Sequence, residues 1–173
     1  EILNSATNYA MIGNTLRAEA FLAEAGNQYR KFEKEFPIDF YRSLIAISKC
    51  LIATDQLEKA ENILKESIVW SRKRFGNFHP NVARSLCSYA AFLEGLGNSG
   101  DADKLYQEAK TIQETVMDTD GDIYSMALRS LGRLAQEKKD YRKAETYFTA
   151  AFSIFSRNPA IHMEDYVSNA LSL

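Results

Sequence analysis

Alanines recur at one fixed interval along the chain, and this periodicity constrains the fold more than any other feature of the sequence. Ala18, Ala60, Ala102 and Ala144 follow one another at 42-residue steps, without an insertion. Further columns keep the same interval: large apolar residues stand four positions after each alanine and sixteen positions before it, and small residues stand seven positions after and twelve positions before it. Periods of about 20–50 residues are typical of solenoids, in which each repeat packs on its neighbours.

The stretches between these columns predict helices throughout. Apolar residues recur at i, i+3, i+4 and i+7, sustained period-2 alternation is missing, and only three prolines and eight glycines occur. We therefore predict helical hairpins repeated four times, with small side chains where two helices cross, because a larger one would cost about 1–3 kcal/mol in overpacking. The predicted helices are at about 2–12, 15–35, 39–53, 56–75, 81–95, 98–117, 122–137 and 140–157, with a final one from about 160.

The links between the repeats carry the expected helix-start signals. Pro37, Pro80 and Pro159 all lie in these links, where a missing backbone N–H costs little. The predicted N-cap residues are Asp39, Asn81 and Asp122.

We expect a single domain over residues 1–173. Its repeats are predicted at about 1–36, 37–78, 79–120 and 121–158, with a partial fifth repeat or capping helix at 159–173. The chain begins with Glu1 instead of methionine, and we expect it to be a fragment of a longer protein.

These columns resemble the tetratricopeptide repeat, whose usual length is about 34 residues. The 42-residue period, the long second helices and the segment HPNVARSLCSYAAFLEGLGNSGDADKLYQEAKTI are similar to the kinesin light chain type. The resemblance covers essentially the whole chain, and it is weaker in the first hairpin, where Ser5 fills a usually large position. It implies an all-α fold, a right-handed superhelical α-solenoid of helix hairpins whose first helices line a concave groove.

The resemblance also implies that the groove binds a protein or peptide partner. The groove positions in the last three hairpins are Arg42, Ile45, Lys49, Ile52, Arg84, Cys87, Ala91, Glu94, Met126, Arg129, Arg133 and Gln136, and those in the first hairpin are Thr7 and Met11. Five of these residues are basic and one is acidic, which favours an acidic peptide, and the apolar members are candidates for a pocket that holds an apolar side chain. The alternative is that the arginines are solvated or paired with acids of the neighbouring helix, where each exposed pair is worth only about 0.2–1 kcal/mol.

One subfamily of tetratricopeptide proteins grips a terminal carboxylate with a lysine and asparagines on adjacent first helices. The corresponding residues here are Leu3, Thr7 and Ala46, or Ile45, Lys49 and Ser88. Binding of Hsp70 or Hsp90 tails is therefore disfavoured.

Charge and cysteine usage exclude several other classes of function. A net charge of −2 predicts no general attraction to nucleic acid or to anionic membranes, and no apolar run is long enough to cross a bilayer. Cys50 and Cys87 form no C-x-x-C pair and are interpreted as reduced thiols of an intracellular, cytoplasmic protein.

Motifs of catalysis and cofactor binding are not supported by their context. The GLGNSG segment fits a dinucleotide-binding pattern but follows a predicted helix, so we interpret it as a turn. The DTDGD segment lacks the glycine position and distal glutamate of a calcium loop, and His79 and His162 have no second histidine at helical spacing. We expect no cofactor and no metal, and we interpret His79 as part of a helix-entry turn.

The leading hypothesis is a non-catalytic interaction scaffold that binds a partner peptide in its groove. The alternative is a structural module that forms homo-oligomers or docks onto flanking domains through the solenoid ends, because a truncated fifth hairpin at 159–173 would expose an apolar end surface. An enzymatic function ranks third among the hypotheses, because the sequence shows no residues arranged as a catalytic site.

Overall fold

The structure, a computed structural model, describes residues 5, 6, 8, 9, 12, 14–31 and 33–157. The predicted partial fifth repeat lies outside the described residues, as do the predicted positions Ile2, Leu3, Thr7, Met11, Pro159 and His162. The chain divides into two compact units, which are residues Glu1–Arg74 (unit 1) and Phe75–Leu173 (unit 2).

Residues 14–31 and 33–157 contain seven α-helices, Ser5, Ala6, Asn8 and Tyr9 are also helical, and no described residue lies in a strand. Unit 1 contains α1 (Thr15–Lys31), α2 (Pro37–Ala53) and α3 (Leu57–Phe75), of which the last residue falls in unit 2. Unit 2 contains α4 (Pro80–Gly95), α5 (Ser99–Thr115), α6 (Asp122–Glu137) and α7 (Tyr141–Arg157). The all-α fold of repeated hairpins is confirmed: α1 is the second helix of the first hairpin, and α2/α3, α4/α5 and α6/α7 are the next three.

The columns read from the sequence form the core of each hairpin. Within unit 2, α4 packs on α5 and α6 on α7, while α5 and α4 of the third hairpin both contact α6 of the fourth. In unit 1, α1 packs on α2, and the Trp70 ring of α3 lies 5.1 Å from the ring of Phe40 in α2. The buried column residues are Ala6, Ala18, Leu22, Ala25, Leu44, Ser48, Ala60, Leu64, Ser67, Leu86, Ala90, Ala102, Tyr106, Ala109, Leu128, Gly132, Ala144, Phe148 and Ala151.

The turn inside each hairpin is built in the same way in the last three repeats. Asp55, Gly97 and Lys139, spaced 42 residues apart, all have left-handed backbone conformations with φ of 59°, 79° and 61°. The next residue in each case donates its N–H to a carbonyl five residues back, at 2.9 Å, as in a Schellman-type helix end. The GLGNSG segment is therefore a hairpin turn, as its context predicts.

The predicted N-caps of the first helices are wrong. Asp39, Asn81 and Asp122 lie within the first helical turns, and the cap positions are occupied by Phe36, His79 and Gly121. Pro37 and Pro80 are the first residues of their helices, which therefore begin two residues and one residue earlier than predicted. His79 caps α4 by accepting the Asn81 N–H on its Nδ1 atom at 3.1 Å, so its role in helix entry is confirmed.

The second helices have caps of their own, at another 42-residue column. Asn98 and Asp140 accept backbone N–H groups of the first turns of α5 and α7, at 3.3 and 3.2 Å, and Asn14 does the same for α1 at 3.2 Å. These short polar side chains satisfy donors that have no partner within the helix.

Candidate functional site

The predicted groove residues lie on the first helices of their hairpins. Arg42, Ile45, Lys49 and Ile52 belong to α2 in unit 1, and the remaining residues belong to α4 and α6 in unit 2. Their exposure differs: Arg42, Lys49, Ile52 and Arg133 are exposed, Ile45, Arg84, Glu94, Met126 and Arg129 are half-buried, and Cys87 is buried.

Arg42 borders a cavity of unit 1 near the start of α2. The cavity has a volume of about 470 Å³ and is lined by Tyr29, Phe36, Asp39, Phe40, Arg42 and Ser43. Its lining combines aromatic rings with one guanidinium and one carboxylate, which is a chemically mixed surface.

In unit 2 the first helices of consecutive hairpins contact each other, and their outer residues form one surface. We call it the α4/α6 surface and define it by Arg84, Ala91, Glu94, Asp122, Met126, Arg129 and Arg133. At one end, the Arg84 guanidinium binds the Asp122 carboxylate, with an Nη2–Oδ2 distance of 3.0 Å and a second contact at 3.3 Å to Oδ1. The two side chains are 41% and 56% exposed, so water competes for both.

At the other end of this surface, Glu94 joins three helices. Its Oε1 atom accepts from Arg133 Nη2 at 2.6 Å and from Nε at 2.8 Å, while its Oε2 atom accepts from the Tyr106 hydroxyl at 3.2 Å. The Glu94 side chain is only 13% exposed. The hydrogen bond to Glu94 raises the pKa of Arg133, and burial raises the pKa of Tyr106.

Along α4, Ala91 lies between the ion-paired residues Arg84 and Glu94, and along α6, Met126 and Arg129 lie between Asp122 and Arg133. Ala91 is exposed, and Met126 and Arg129 are half-buried. This middle part combines a small residue, a flexible apolar side chain and a guanidinium.

Cys87 does not belong to the accessible part of the surface. It is 1% exposed, and burial raises the pKa of its thiol to about 12. The cysteine is therefore a core residue of the third hairpin, and its side chain is not available to line an accessible surface.

A family model identifies the protein family of this chain. The family model of the tetratricopeptide repeat matches residues 40–115 and 85–157, which is more than half of the chain. The chain belongs to the tetratricopeptide repeat family.

Solved structures with a similar fold include kinesin light chain-like repeat proteins. BtubC (BKLC) from P. vanneervenii superposes with a TM-score of 0.80 at 17% identity, covering 99% of this chain and 68% of that one. A Podosopora anserina protein of kinesin light chain type, with nearly identical tetratricopeptide-like repeats, has a TM-score of 0.74 at 16% identity, covering 99% and 81%. The apo form of RapI has a TM-score of 0.72 at 18% identity, covering 92% and 56%.

Curated relatives match a shorter stretch. Amyloid protein-binding protein 2 of Rattus norvegicus and that of Mus musculus are 29% identical over 69 residues, which is 40% of this chain. The match spans 12% of the length of these relatives.

Two residues that form contacts at the α4/α6 surface were not predicted from the sequence. The sequence predicts only a capping role for Asp122, which binds Arg84, and only a core position for Tyr106, whose hydroxyl donates to Glu94. The available signal was spacing: Asp122 follows Arg84 by 38 residues, close to one repeat, so neighbouring first helices bring them together.

Within the described part of the tetratricopeptide chain, no three His, Cys, Asp or Glu side chains come together in a group that could bind a metal ion. Nor does any helix among those residues combine the length and the apolar character needed to cross a membrane.

Proposed function

We propose that this chain binds a peptide segment of a partner protein on the α4/α6 surface of unit 2 and catalyses no reaction itself. Tetratricopeptide repeats indicate a protein–protein interaction scaffold, and the family is typically non-catalytic. The observation that carries the proposal is the contact between α4 and α6, which makes one surface from two consecutive first helices.

The chemistry of this surface favours a segment with an apolar side chain next to an acidic one. Met126 on α6 is half-buried and Ala91 on α4 is exposed, and a flexible thioether adapts to different apolar groups. Three arginines, Arg84, Arg129 and Arg133, lie on this surface, and a guanidinium group can form charge-assisted hydrogen bonds with a peptide carboxylate.

The two ion pairs differ in how readily a peptide carboxylate can replace the internal one. The side chains of Arg84 and Asp122 are 41% and 56% exposed, and such a pair contributes about 0.2–1 kcal/mol, so exchanging Asp122 for a ligand carboxylate costs little. Glu94 is nearly buried and also accepts from Tyr106, so its replacement would leave buried polar groups unpaired. We therefore assign acidic recognition to Arg84 and a structural role to the Arg133–Glu94 pair.

The experiment starts from a peptide array that contains acidic, basic and Hsp70- and Hsp90-tail sequences. A selected acidic peptide is then titrated against Arg84→Gln, which should weaken binding about two- to fivefold, and against Asp122→Asn, which should strengthen it by a similar factor because Arg84 loses its internal partner. Arg142→Gln, an exposed change on α7, is the matched control and should leave the dissociation constant unchanged.

Arg84→Gln and Asp122→Asn should change the peptide dissociation constant in opposite directions, and this pattern identifies Arg84 as the residue that binds the peptide carboxylate. If Asp122→Asn weakens binding as much as Arg84→Gln does, the ion pair supports the fold and the acidic preference assigned to Arg84 is wrong. Selection of Hsp-tail peptides would contradict the expectation that such tails are disfavoured.

A further inference from the structure

The link between α5 and α6 contains an aspartate, Asp120, followed directly by Gly121. This is the one position in the sequence where an aspartate or an asparagine precedes a glycine. The carboxyl carbon of an aspartate can join the next backbone nitrogen in a succinimide ring, and glycine hinders this closure least because it has no Cβ atom. The residue types at this link therefore favour isomerisation of the backbone.

The structure leaves both reacting groups of this link outside the helices. The Asp120 side chain is 66% exposed. Gly121 is the N-cap residue of α6 and has an extended backbone, with φ of −85° and ψ of 164°. The N–H groups at the start of a helix have no partner within that helix, so the Gly121 nitrogen is not held by the hydrogen bonds of α6.

Asp101 in the same unit shows why exposure of a carboxylate is not sufficient. Its side chain is 54% exposed, but it lies within the first turn of α5. The next nitrogen, that of Ala102, donates its proton to the Asn98 carbonyl at 3.2 Å. Ring closure at Asp101 would break this hydrogen bond and would be hindered by the Ala102 Cβ atom, so the two aspartates are expected to react at different rates.

An ion pair restrains the Asp120 side chain. Arg157 Nη2, at the end of α7, lies 2.9 Å from Asp120 Oδ1, and the two side chains are 62% and 66% exposed. A succinimide ring carries no negative charge, so its closure gives up this ion pair. Because exposed ion pairs are weak, the contact slows the closure without preventing it.

We propose that Asp120–Gly121 is a site of isoaspartate formation and that Arg157 limits its rate. The Gly121 nitrogen bonds to Asp120 Cγ, and one carboxyl oxygen leaves as water with its own proton and the amide proton. Water then adds to the backbone carbonyl carbon of Asp120, the bond from that carbon to the nitrogen breaks, and the nitrogen takes up the proton.

The product contains the same atoms as the original chain but changes the entry to α6. Its main chain runs through Cβ and Cγ of Asp120, and the free carboxylate stands where the backbone carbonyl was. The link is longer directly before Asp122, which binds Arg84, and Arg157 loses its side-chain partner. The reaction does not depend on the peptide binding proposed for the α4/α6 surface.

The test is incubation of the whole chain at physiological pH and temperature, followed by digestion and labelling of the peptides with an isoaspartyl methyltransferase and tritiated S-adenosylmethionine. We expect more label in the peptide that contains Asp120 than in the peptide that contains Asp101. Incubation in water enriched in heavy oxygen should add one heavy oxygen atom to the Asp120 peptide. Asp120→Glu keeps the carboxylate but needs a larger ring, so it should abolish the label, whereas the matched control Asp101→Glu should leave the Asp120 label unchanged.

The role of Arg157 is tested in the folded and the unfolded chain. In the folded chain Arg157→Gln should speed labelling about two- to fivefold, as expected for loss of an exposed ion pair, while Arg142→Gln should not change the rate. In urea that unfolds the chain, the wild type and Arg157→Gln should be labelled equally fast. No label at Asp120 in the wild type, label that survives Asp120→Glu, or a folded Arg157→Gln chain that reacts no faster than the wild type would overturn the proposal.

Discussion

Gly132 is the residue whose replacement most directly tests how the small columns govern packing. It is buried in α6 at the crossing with α7, and a Cβ atom built on it would lie 2.7 Å from Cε1 and 2.8 Å from Cδ1 of the Phe148 ring. Carbon atoms in favourable contact are about 3.5–4.0 Å apart. Phe148 is itself buried, so its ring has little space into which it can withdraw.

The expected effect of Gly132→Ala is the difference between two terms. Overpacking costs about 1–3 kcal/mol, while alanine is a better helix former than glycine by about 1 kcal/mol. We expect a net loss of about 1 kcal/mol in the free energy of unfolding. Adding Phe148→Leu, which restores the leucine found in this column at Leu22 and Leu64, should recover at least part of that loss and give a non-zero coupling in the double-mutant cycle.

The assay is urea unfolding followed by helical circular dichroism, with Gly26→Ala as the matched control. Gly26 lies inside α1, and a Cβ atom there would meet nothing within 4 Å, so the same substitution should stabilise unit 1 by about 0.5–1 kcal/mol. If Gly132→Ala stabilises the protein as much as Gly26→Ala does, the close approach of α6 and α7 does not require glycine and the reasoning fails.

Three further substitutions probe other parts of the structure. Lys139→Gly should raise the urea midpoint, because Lys139 holds a left-handed conformation that costs a non-glycine residue about 1–2 kcal/mol, and Gly97→Ala should lower it. Glu94→Ala should lower the unfolding free energy by about 1–3 kcal/mol and shift the ultraviolet titration of Tyr106, whereas Asp122→Ala, at the exposed pair, should cost less than 1 kcal/mol. Because burial raises the Cys87 pKa to about 12, the unfolded chain loses this proton first as pH rises, so stability present below about pH 9 should fall between pH 9 and 12, and less so in Cys87→Ala.

The helices and hairpin pairing follow from sequence because they depend on local residue size and spacing. Ala60, Ala102 and Ala144 lie on close helix crossings, and each is buried as the repeat predicts. The helix starts were less accurate: Asp39 is a common cap residue type, but a proline two residues before it moves the start of α2.

The site was harder to predict because its properties depend on the orientation of side chains around first helices. Cys87 was assigned to the surface by repeat register, yet its side chain points into the core, a difference of direction that spacing alone does not contain. Arg84 and Arg133 were candidates for both peptide binding and internal pairing, and the structure places a carboxylate at each. The Cys87 assignment is wrong for these physical reasons, while the peptide-binding role of the other residues stays a prediction.

The central claim is that a peptide binds across α4 and α6, and a negative charge introduced at Met126 on that surface tests it most directly. Met126→Glu places a carboxylate between the two ion pairs, and Glu145→Arg, an exposed change on α7, is its control. The measurement is the dissociation constant of an array-selected acidic peptide for each variant. We predict a loss of at least tenfold for Met126→Glu and no change for Glu145→Arg, and unchanged binding by a folded Met126→Glu variant would contradict the account.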